Sequence, residues 1–378
     1  MKSEMKSLEE HSTWKLVDVP AGKKAVGCEW VFKIKAIQVW RLSSSRHAWL
    51  RKGSRSVLAS TTTRPLHQWR AKNLSTQCWP SLQLKTWKQI TLMSTHAFLY
   101  GKVEEELYMD QPDGFEDEGS PKKKCLLQKA LYGTKQAARQ WNNKLSQHLD
   151  DQGFKSSAAD PCVFVRVTRE EYSIIVIYVG DLMIFCKTKE HIASIKSSLM
   201  KVFSIKDLGD LKYCLGIEFH RKREDGTIKM NQKAYIKRLL EKFGVENCKD
   251  VHTPADSNWK LIKMGQEEAF VPKYPYRELV GALMYIATCT RPDIAHPVGE
   301  VANFCERYDK SHWTAAKRIL KYLKTTQDLS IVFSGINKGE LIRFADANWS
   351  GDLDTRRSTT GYVFFLNGSV ISWNSKRQ

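Results

Sequence analysis

The sequence predicts an α+β protein with antiparallel sheets. Apolar runs are interrupted by short Gly- or Asp-containing turns, as in "SIIVIYVGDLMIFC", "LGIEFHRKREDGTIKMN" and "GYVFFLNGSVISW". That is the spacing of β-hairpins. Other segments carry apolar residues three and four apart, the period of a half-buried helix. No internal repeat and no long low-complexity tract points to a solenoid or a disordered chain.

In chain order, "TWKLVDVPAGKKAVGCEWVFKIK" (13–35) reads as two short strands around a Pro/Gly/Lys turn. "HAFLYGKVEEELYMDQPDGF" (96–115) begins with a short apolar segment and ends in a Pro-Asp-Gly turn. In "QAARQWNNKLSQHLDDQGF" (136–154), Ala138, Trp141, Leu145 and Leu149 share one helical face, and Gly153 suits the stop. The hairpin around Asp181 follows, then helical spacing in "HIASIKSSLMKVF" and a second hairpin turning at Asp225-Gly226. "HTPADSNW" (252–259) is the best linker candidate. "HWTAAKRILKYLK" (312–324) places Ala316, Ile319, Leu320 and Leu323 on one face. Lys317, Arg318, Lys321 and Lys324 lie largely on the other, a face read as solvated in preference to a nucleic-acid groove. "LIRFADANW" (341–349) reads as a strand, and Asn367-Gly368 as the turn of a last hairpin.

At 378 residues the chain has room for two or three domains, and 42% hydrophobic with 27% charged residues is ordinary for a globular protein. The nine cysteines include no C-x-x-C pair, so neither a zinc site nor a compact disulfide framework is expected. The charged start "MKSEMKSLEEH" lacks a secretory core, and no apolar run approaches the ~20 residues that cross a bilayer. A soluble, intracellular chain is the expectation, with cytoplasm and nucleus not distinguished.

The net charge of +19 points to a polyanionic partner. Yet Val31 to Val103 holds thirteen Lys/Arg and no Asp or Glu, which leaves +6 for the remainder. Two readings stand: a basic arm that folds on nucleic acid, or an out-of-frame translation. The abrupt shift of composition at both edges favours the second.

Asp181 sits between two apolar strands with Gly180 beside it. The plain explanation is turn chemistry, an Asp bonding its own backbone. The sharper one is phosphoryl transfer on two metal ions roughly 3.5–4 Å apart, which needs several carboxylates converging on rigid strands.

The chain resembles the reverse transcriptase and adjoining RNase H region of Ty1/copia-type retrotransposon Pol polyproteins. The resemblance is carried by "AFLYGKVEEELYMDQPDGF", "LYGTKQAARQW", "DPCVFVRV", "YVGDLMIF", "DLGDLKYCLGIEF", "YRELVGALMYIATCTRPDIAH", "HWTAAKRILKYLKTT" and "RRSTTGYVFFLNGSVISWNSKRQ", with the 13–35 stretch ahead of them. It implies a right-hand polymerase of fingers, palm and thumb with an antiparallel palm sheet, followed by the start of an RNase H-like domain. The implied divisions are fingers strands in 1–35, a poorly folded out-of-frame segment in 36–95, and palm and fingers in 96–250. Thumb or connection then occupies 251–335, and a truncated RNase H-like domain 336–378.

The resemblance also implies partners and sites: an RNA template, a DNA primer and dNTPs, with Mg²⁺ or Mn²⁺ and no membrane. The family's palm motif Tyr-Val-Asp-Asp is here Tyr178-Val179-Gly180-Asp181, so one of its two aspartates is replaced. A third carboxylate, in a pattern like Asp-Val-x-x-Ala-Phe-Leu, has no counterpart in "LMSTHAFLYG". Asp181 is thus expected to be the surviving palm carboxylate and metal ligand. Gln136, Arg139 and Tyr178 are the expected nucleotide or template contacts, although Gln136 equally suits the first turn of a helix. Asp346 in "FADANWSGD" matches the first RNase H carboxylate and metal ligand, and the chain stops at Gln378 ahead of the next ones. The expectation is therefore a reverse transcriptase region by descent without polymerase or RNase H activity. A non-enzymatic nucleic-acid-binding remnant is the alternative.

Overall fold

The computed structural model describes residues 1–34, 46–52, 87–94, 96–131, 133–134, 136–256, 261–263, 274–334 and 340–378. The chain divides into two units, 1–62 with 89–209 and 63–88 with 210–378. Residues 35–45 and 53–86, most of the segment read as out of frame, lie outside the described residues.

The first unit opens with helix α1 (Lys2–Glu10) and strands β1 (Trp14–Val17), β2 (Cys28–Ile34), β3 (Arg46–Lys52) and β4 (Lys88–Ser94). A 3-10 turn (Ala97–Tyr100) leads to β5 (Tyr108–Met109), β6 (Lys124–Leu127) and helix α2 (Ala137–Asp151). Then come β7 (Lys155–Ser156), β8 (Val163–Val167), β9 (Tyr172–Tyr178), β10 (Asp181–Cys186), α3 (Lys189–Val202) and β11 (Ile205–Asp210).

The two strands expected in 13–35 form, but not as partners: β1 pairs with β6 and β2 with β3. Val26 diverts the chain between them. Its amide donates to the Tyr108 carbonyl and its carbonyl accepts from the Asp110 amide, both at 2.9 Å.

A six-stranded sheet runs in the order β11-β4-β10-β9-β8-β7. The inner residues of β9 and of β10 are buried throughout, which is why they read as unbroken apolar runs instead of alternating ones. Trp141, Leu145 and Leu149 of α2 and Ile192, Ile195 and Leu199 of α3 pack on Leu92, Ile175, Ile177, Leu182 and Ile184. Each fully buried side chain of this size contributes about 1.5–3 kcal/mol relative to exposure. On α2 the buried alanine is Ala137, not Ala138, which stays half-buried.

Strand β4 lies within the segment expected to fold poorly, yet it sits between β11 and β10 with Leu92 fully buried. Seven residues are too few for a clear hydrophobic period, but enough for a strand whose neighbours already present their edges.

The second unit contains β12 (Tyr213–Cys214), β13 (Ile217–Lys222), β14 (Thr227–Asn231) and helices α4 (Lys233–Phe243), α5 (Tyr276–Cys289), α6 (Ala295–Ala302) and α7 (Lys310–Thr325). It ends with β15 (Ile331–Ser334), β16 (Leu341–Asn348), β17 (Thr359–Leu366) and β18 (Ser369–Arg377). Strands β12-β13-β14-β15 form one sheet, and β13 turns into β14 at Asp225-Gly226 as expected. Ile236, Leu240, Leu283, Ile286, Ile319 and Leu323 join the helices in one core.

The basic face of α7 is not simply solvated. Lys324 donates to the Cys248 carbonyl at 2.6 Å and to Asp250 at 3.0 Å, and Arg318 to Thr253 at 2.8 Å. These bonds tie the 248–256 stretch to the helix.

Strands β16-β17-β18 form a sheet of their own. Asn367 (φ +52°) and Gly368 (φ +77°) are both left-handed, as a two-residue Asn-Gly hairpin loop requires. The sheet is not separate from the helices. The Trp373 indole donates to the Ala287 carbonyl at 2.7 Å, and the Ser369 hydroxyl to the Val332 carbonyl at 2.6 Å. Among the described residues, no helix is long and apolar enough to cross a membrane.

Candidate active site

Tyr178 and Asp181 face each other at the end of the β9–β10 ladder, leaving Val179-Gly180 as a two-residue loop. Val179 has φ +54°, a left-handed conformation that strains a β-branched residue. Two-residue loops that are left-handed at the first position favour glycine there. In this loop the glycine comes second and does not use the left-handed region.

The end of β4 lies against the loop. The Ser94 amide donates to the Gly180 carbonyl at 2.7 Å. A Cβ on Gly180 would stand 3.2 Å from the Ser94 carbonyl oxygen and 3.7 Å from the Ala97 Cβ. A side chain at 180 would therefore start out toward the end of β4. Helix α2 also reaches the loop, where the buried Trp141 donates its indole N–H to the Val179 carbonyl at 2.5 Å.

Gln136 immediately precedes α2. Its Nε2 donates to Glu105 at 2.7 Å, and Gln140 makes the equivalent bond to Glu104 at 2.9 Å. Gly101 allows this approach, because a Cβ there would fall 2.7 Å from the Gln140 Cβ. Arg139 is exposed on the first turn of α2, and Tyr178 and Asp181 are half-buried. Hairpin and helix N-terminus thus belong to one unit, with the Gln136 amide engaged by an acid.

At the other end of the hairpin, Arg166 and Glu171 form an ion pair at 2.8 Å. Burial raises the Glu171 pKa, but bonds from Ser173 and Arg166 outweigh it and hold the carboxyl below its ordinary value. Burial pushes the Cys186 thiol up to about 11. This cluster is structural: Ser173 is fully buried and pairs with Cys186 in the ladder.

Asp346 lies in the second unit, opposite Gly361 on an exposed strand, and its Oδ1 accepts the Ala347 amide at 2.8 Å. Among the described residues, no three His, Cys, Asp or Glu side chains come together as a site for a metal ion.

Residues 11–257 match the sequence profile of the family described as reverse transcriptase (RNA-dependent DNA polymerase). The chain belongs to this family. It is 39% identical over 390 residues to a retrovirus-related Pol polyprotein from transposon TNT 1-94 of Nicotiana tabacum, covering 100% of this chain and 29% of that protein. It is 32% identical over 391 residues to the Pol polyprotein from transposon RE2 of Arabidopsis thaliana, again over 100% of this chain and 26% of the relative. A putative transposon Ty5-1 protein of Saccharomyces cerevisiae is 30% identical over 281 residues, 74% of this chain and 91% of that protein. The chain is a copia-type reverse transcriptase region of a retrotransposon Pol polyprotein, and it spans under a third of the two plant polyproteins.

Reverse transcriptases generally use divalent metal. The residues of this reverse transcriptase's hairpin do not fit two such ions. Asp181 has Gly180 beside it, and among the described residues no three metal-binding side chains gather. One carboxylate cannot bridge and neutralise two divalent cations.

Sequence reasoning missed three parts of this region: the Ser94 amide on Gly180, the Glu104 and Glu105 acceptors, and the role of the Trp141 N–H. Only the last had a signal. A tryptophan on the apolar face of a helix still needs an acceptor for its indole proton.

Proposed function

We propose that this reverse transcriptase region keeps the framework of a right-hand polymerase but has no polymerase activity of its own. In this reading the six-stranded sheet is the palm, and the N-terminal strands with β5 and β6 belong to the fingers. Helices α4–α7 are thumb or connection, and β16–β18 open an RNase H-like domain. A primed RNA template and dNTPs would be its ligands, met by Tyr178, Arg139 and Gln136. Gln136 would have to exchange its bond with Glu105 for one with nucleotide.

One observation carries the inactivity: the only palm-motif carboxylate, Asp181, is flanked by Gly180 and by a β4 end without an acid. In-line attack of a primer 3′-hydroxyl requires charge neutralisation at both the entering and the leaving oxygen. A single side chain cannot organise that. Asp346 is exposed on its strand, and among the described residues no cluster of three metal-binding side chains forms around it for phosphodiester hydrolysis.

The test is primer extension on a primed RNA template with Mg²⁺ and then Mn²⁺, beside an intact copia-type relative. The expected result is no extension by this chain while the relative extends. Extension that disappears in Asp181→Ala would overturn the proposal, since another carboxylate would then complete the site.

A further inference from the structure

We propose that Trp141 is the positioning residue of the Asp181 hairpin, a clamp that keeps Val179 in a conformation it would otherwise leave. Trp141 is 1% exposed, and the acceptor of its indole proton is the Val179 carbonyl, 2.5 Å away. That carbonyl belongs to the residue at φ +54°, where a valine is strained and a glycine would not be. The next carbonyl, of Gly180, is taken by the Ser94 amide at 2.7 Å. Both peptide oxygens of the loop are therefore held by other elements, one by α2 and one by β4.

Local sequence does not favour this loop, because its glycine stands one position too late. The geometry is imposed from outside. What depends on it is register: a two-residue loop pairs Tyr178 with Asp181, and a slip by one residue would turn Asp181 to the opposite face of the sheet. Trp141 acts through Val179 and touches no reacting group.

The ring has a separate task. It packs edge-on against Phe203 (5.2 Å between centroids) and at a tilt against Tyr100 (5.8 Å). Trp141→Phe keeps an aromatic ring in that core and removes the N–H. Val179→Gly removes the strain and leaves the core alone. A clamp predicts that the two substitutions are coupled, whereas a packing role predicts that they are independent.

The experiment is site-resolved amide hydrogen exchange on the whole chain for wild type, Trp141→Phe, Val179→Gly and the double variant. Loss of one hydrogen bond of ordinary strength makes the Asp181 amide exchange about five- to tenfold faster in Trp141→Phe. In the Val179→Gly background the same substitution changes it by less than about twofold. Leu145 and Ile184 keep their protection throughout. An equal acceleration in both backgrounds, or none in either, overturns the proposal. Should Trp141→Phe fail to fold, β-(3-benzothienyl)alanine at 141 replaces the N–H by sulfur at nearly constant shape and is judged by the same criterion; failure of that isostere to fold also overturns it. Amide exchange and primer extension report separately, so the clamp stands or falls whatever the polymerase assay returns.

Discussion

Replacing Arg291 by methionine should cost the second unit about 3 kcal/mol and leave its fold in place. Arg291 is 2% exposed. It donates to Asp293 at 2.6 and 2.9 Å, to the Thr326 carbonyl at 3.0 Å and to the Thr326 hydroxyl at 2.6 Å. Methionine fills much of the space of the arginine stem but supplies no donor. The Asp293 carboxylate is then left with the Tyr322 hydroxyl at 2.8 Å and its own backbone amide. Breaking a buried pair in this way costs about 3–5 kcal/mol. The low end applies because the Asp293 side chain retains 32% of its exposure. With a urea slope near 2 kcal/mol/M, the unfolding midpoint should fall by about 1.5 M.

The pH dependence supplies the sharper check. In the wild type, burial pushes the Asp293 carboxyl up, but Arg291 and Tyr322 outweigh it and the pKa is lowered. Its contribution is thus fully present above the ordinary carboxylate value of about 4, and is lost as pH falls through the depressed folded value. In Arg291→Met the arginine no longer opposes burial, so the pKa rises and protonation near pH 4 relieves the uncompensated charge. The deficit against wild type should be smaller at pH 4 than at pH 7. A loss below about 1 kcal/mol at pH 7, or a deficit that does not change with pH, would refute the reasoning.

Two further predictions concern packing and capping. Gly101→Ala should destabilise the first unit by about 1–3 kcal/mol in thermal melts, because the new Cβ meets the Gln140 Cβ at 2.7 Å; a neutral result would mean that α2 can shift away. Asp309 caps α7 by accepting from the Ser311 and His312 amides at 2.7 and 3.2 Å. Burial raises its pKa, but bonds from Ser311 and His312 prevail and bring it to about 2. The cap's pH-dependent contribution should therefore be complete above pH ~4 and disappear between about 4 and 2, and Asp309→Ala should cost about 1 kcal/mol at pH 7. Helicity followed by circular dichroism checks both, and a cap-dependent loss already complete at pH 5 would contradict the assignment.

Hairpins were legible because their turns carry their own chemistry. Asn367-Gly368 needs two left-handed residues, and Asp225-Gly226 ends its loop with one. The stripes of α2 and α7 were legible from spacing, with an error of one residue at Ala137. That a glycine and not a second acid precedes Asp181 needed no structure, since Gly180 is written in the chain. Partner choice was not legible. Leu16 and Val31 contain nothing that names β6 or β3, because pairing across a long loop is decided by what else must be buried. Strand β4 was hidden by its surroundings, since an acid-free window dominates composition while seven residues decide a strand. The Trp141 bond was half-legible: the need for an acceptor could be read, its identity could not.

The bond from Trp373 to the Ala287 carbonyl bears on where this chain can be shortened. Ala287 lies in the last turn of α5, whose carbonyls have no partner within the helix. The RNase H-like domain proposed above would begin near residue 335, ahead of β16. A fragment ending there would lose the donor that finishes α5 and the hydroxyl that holds Val332. Borders of shared ancestry and borders of cooperative unfolding need not coincide. Here the last strands act as a terminal seal on the helices before them, and a deletion series should lose the helical layer when residue 373 goes, well before any helix has been cut.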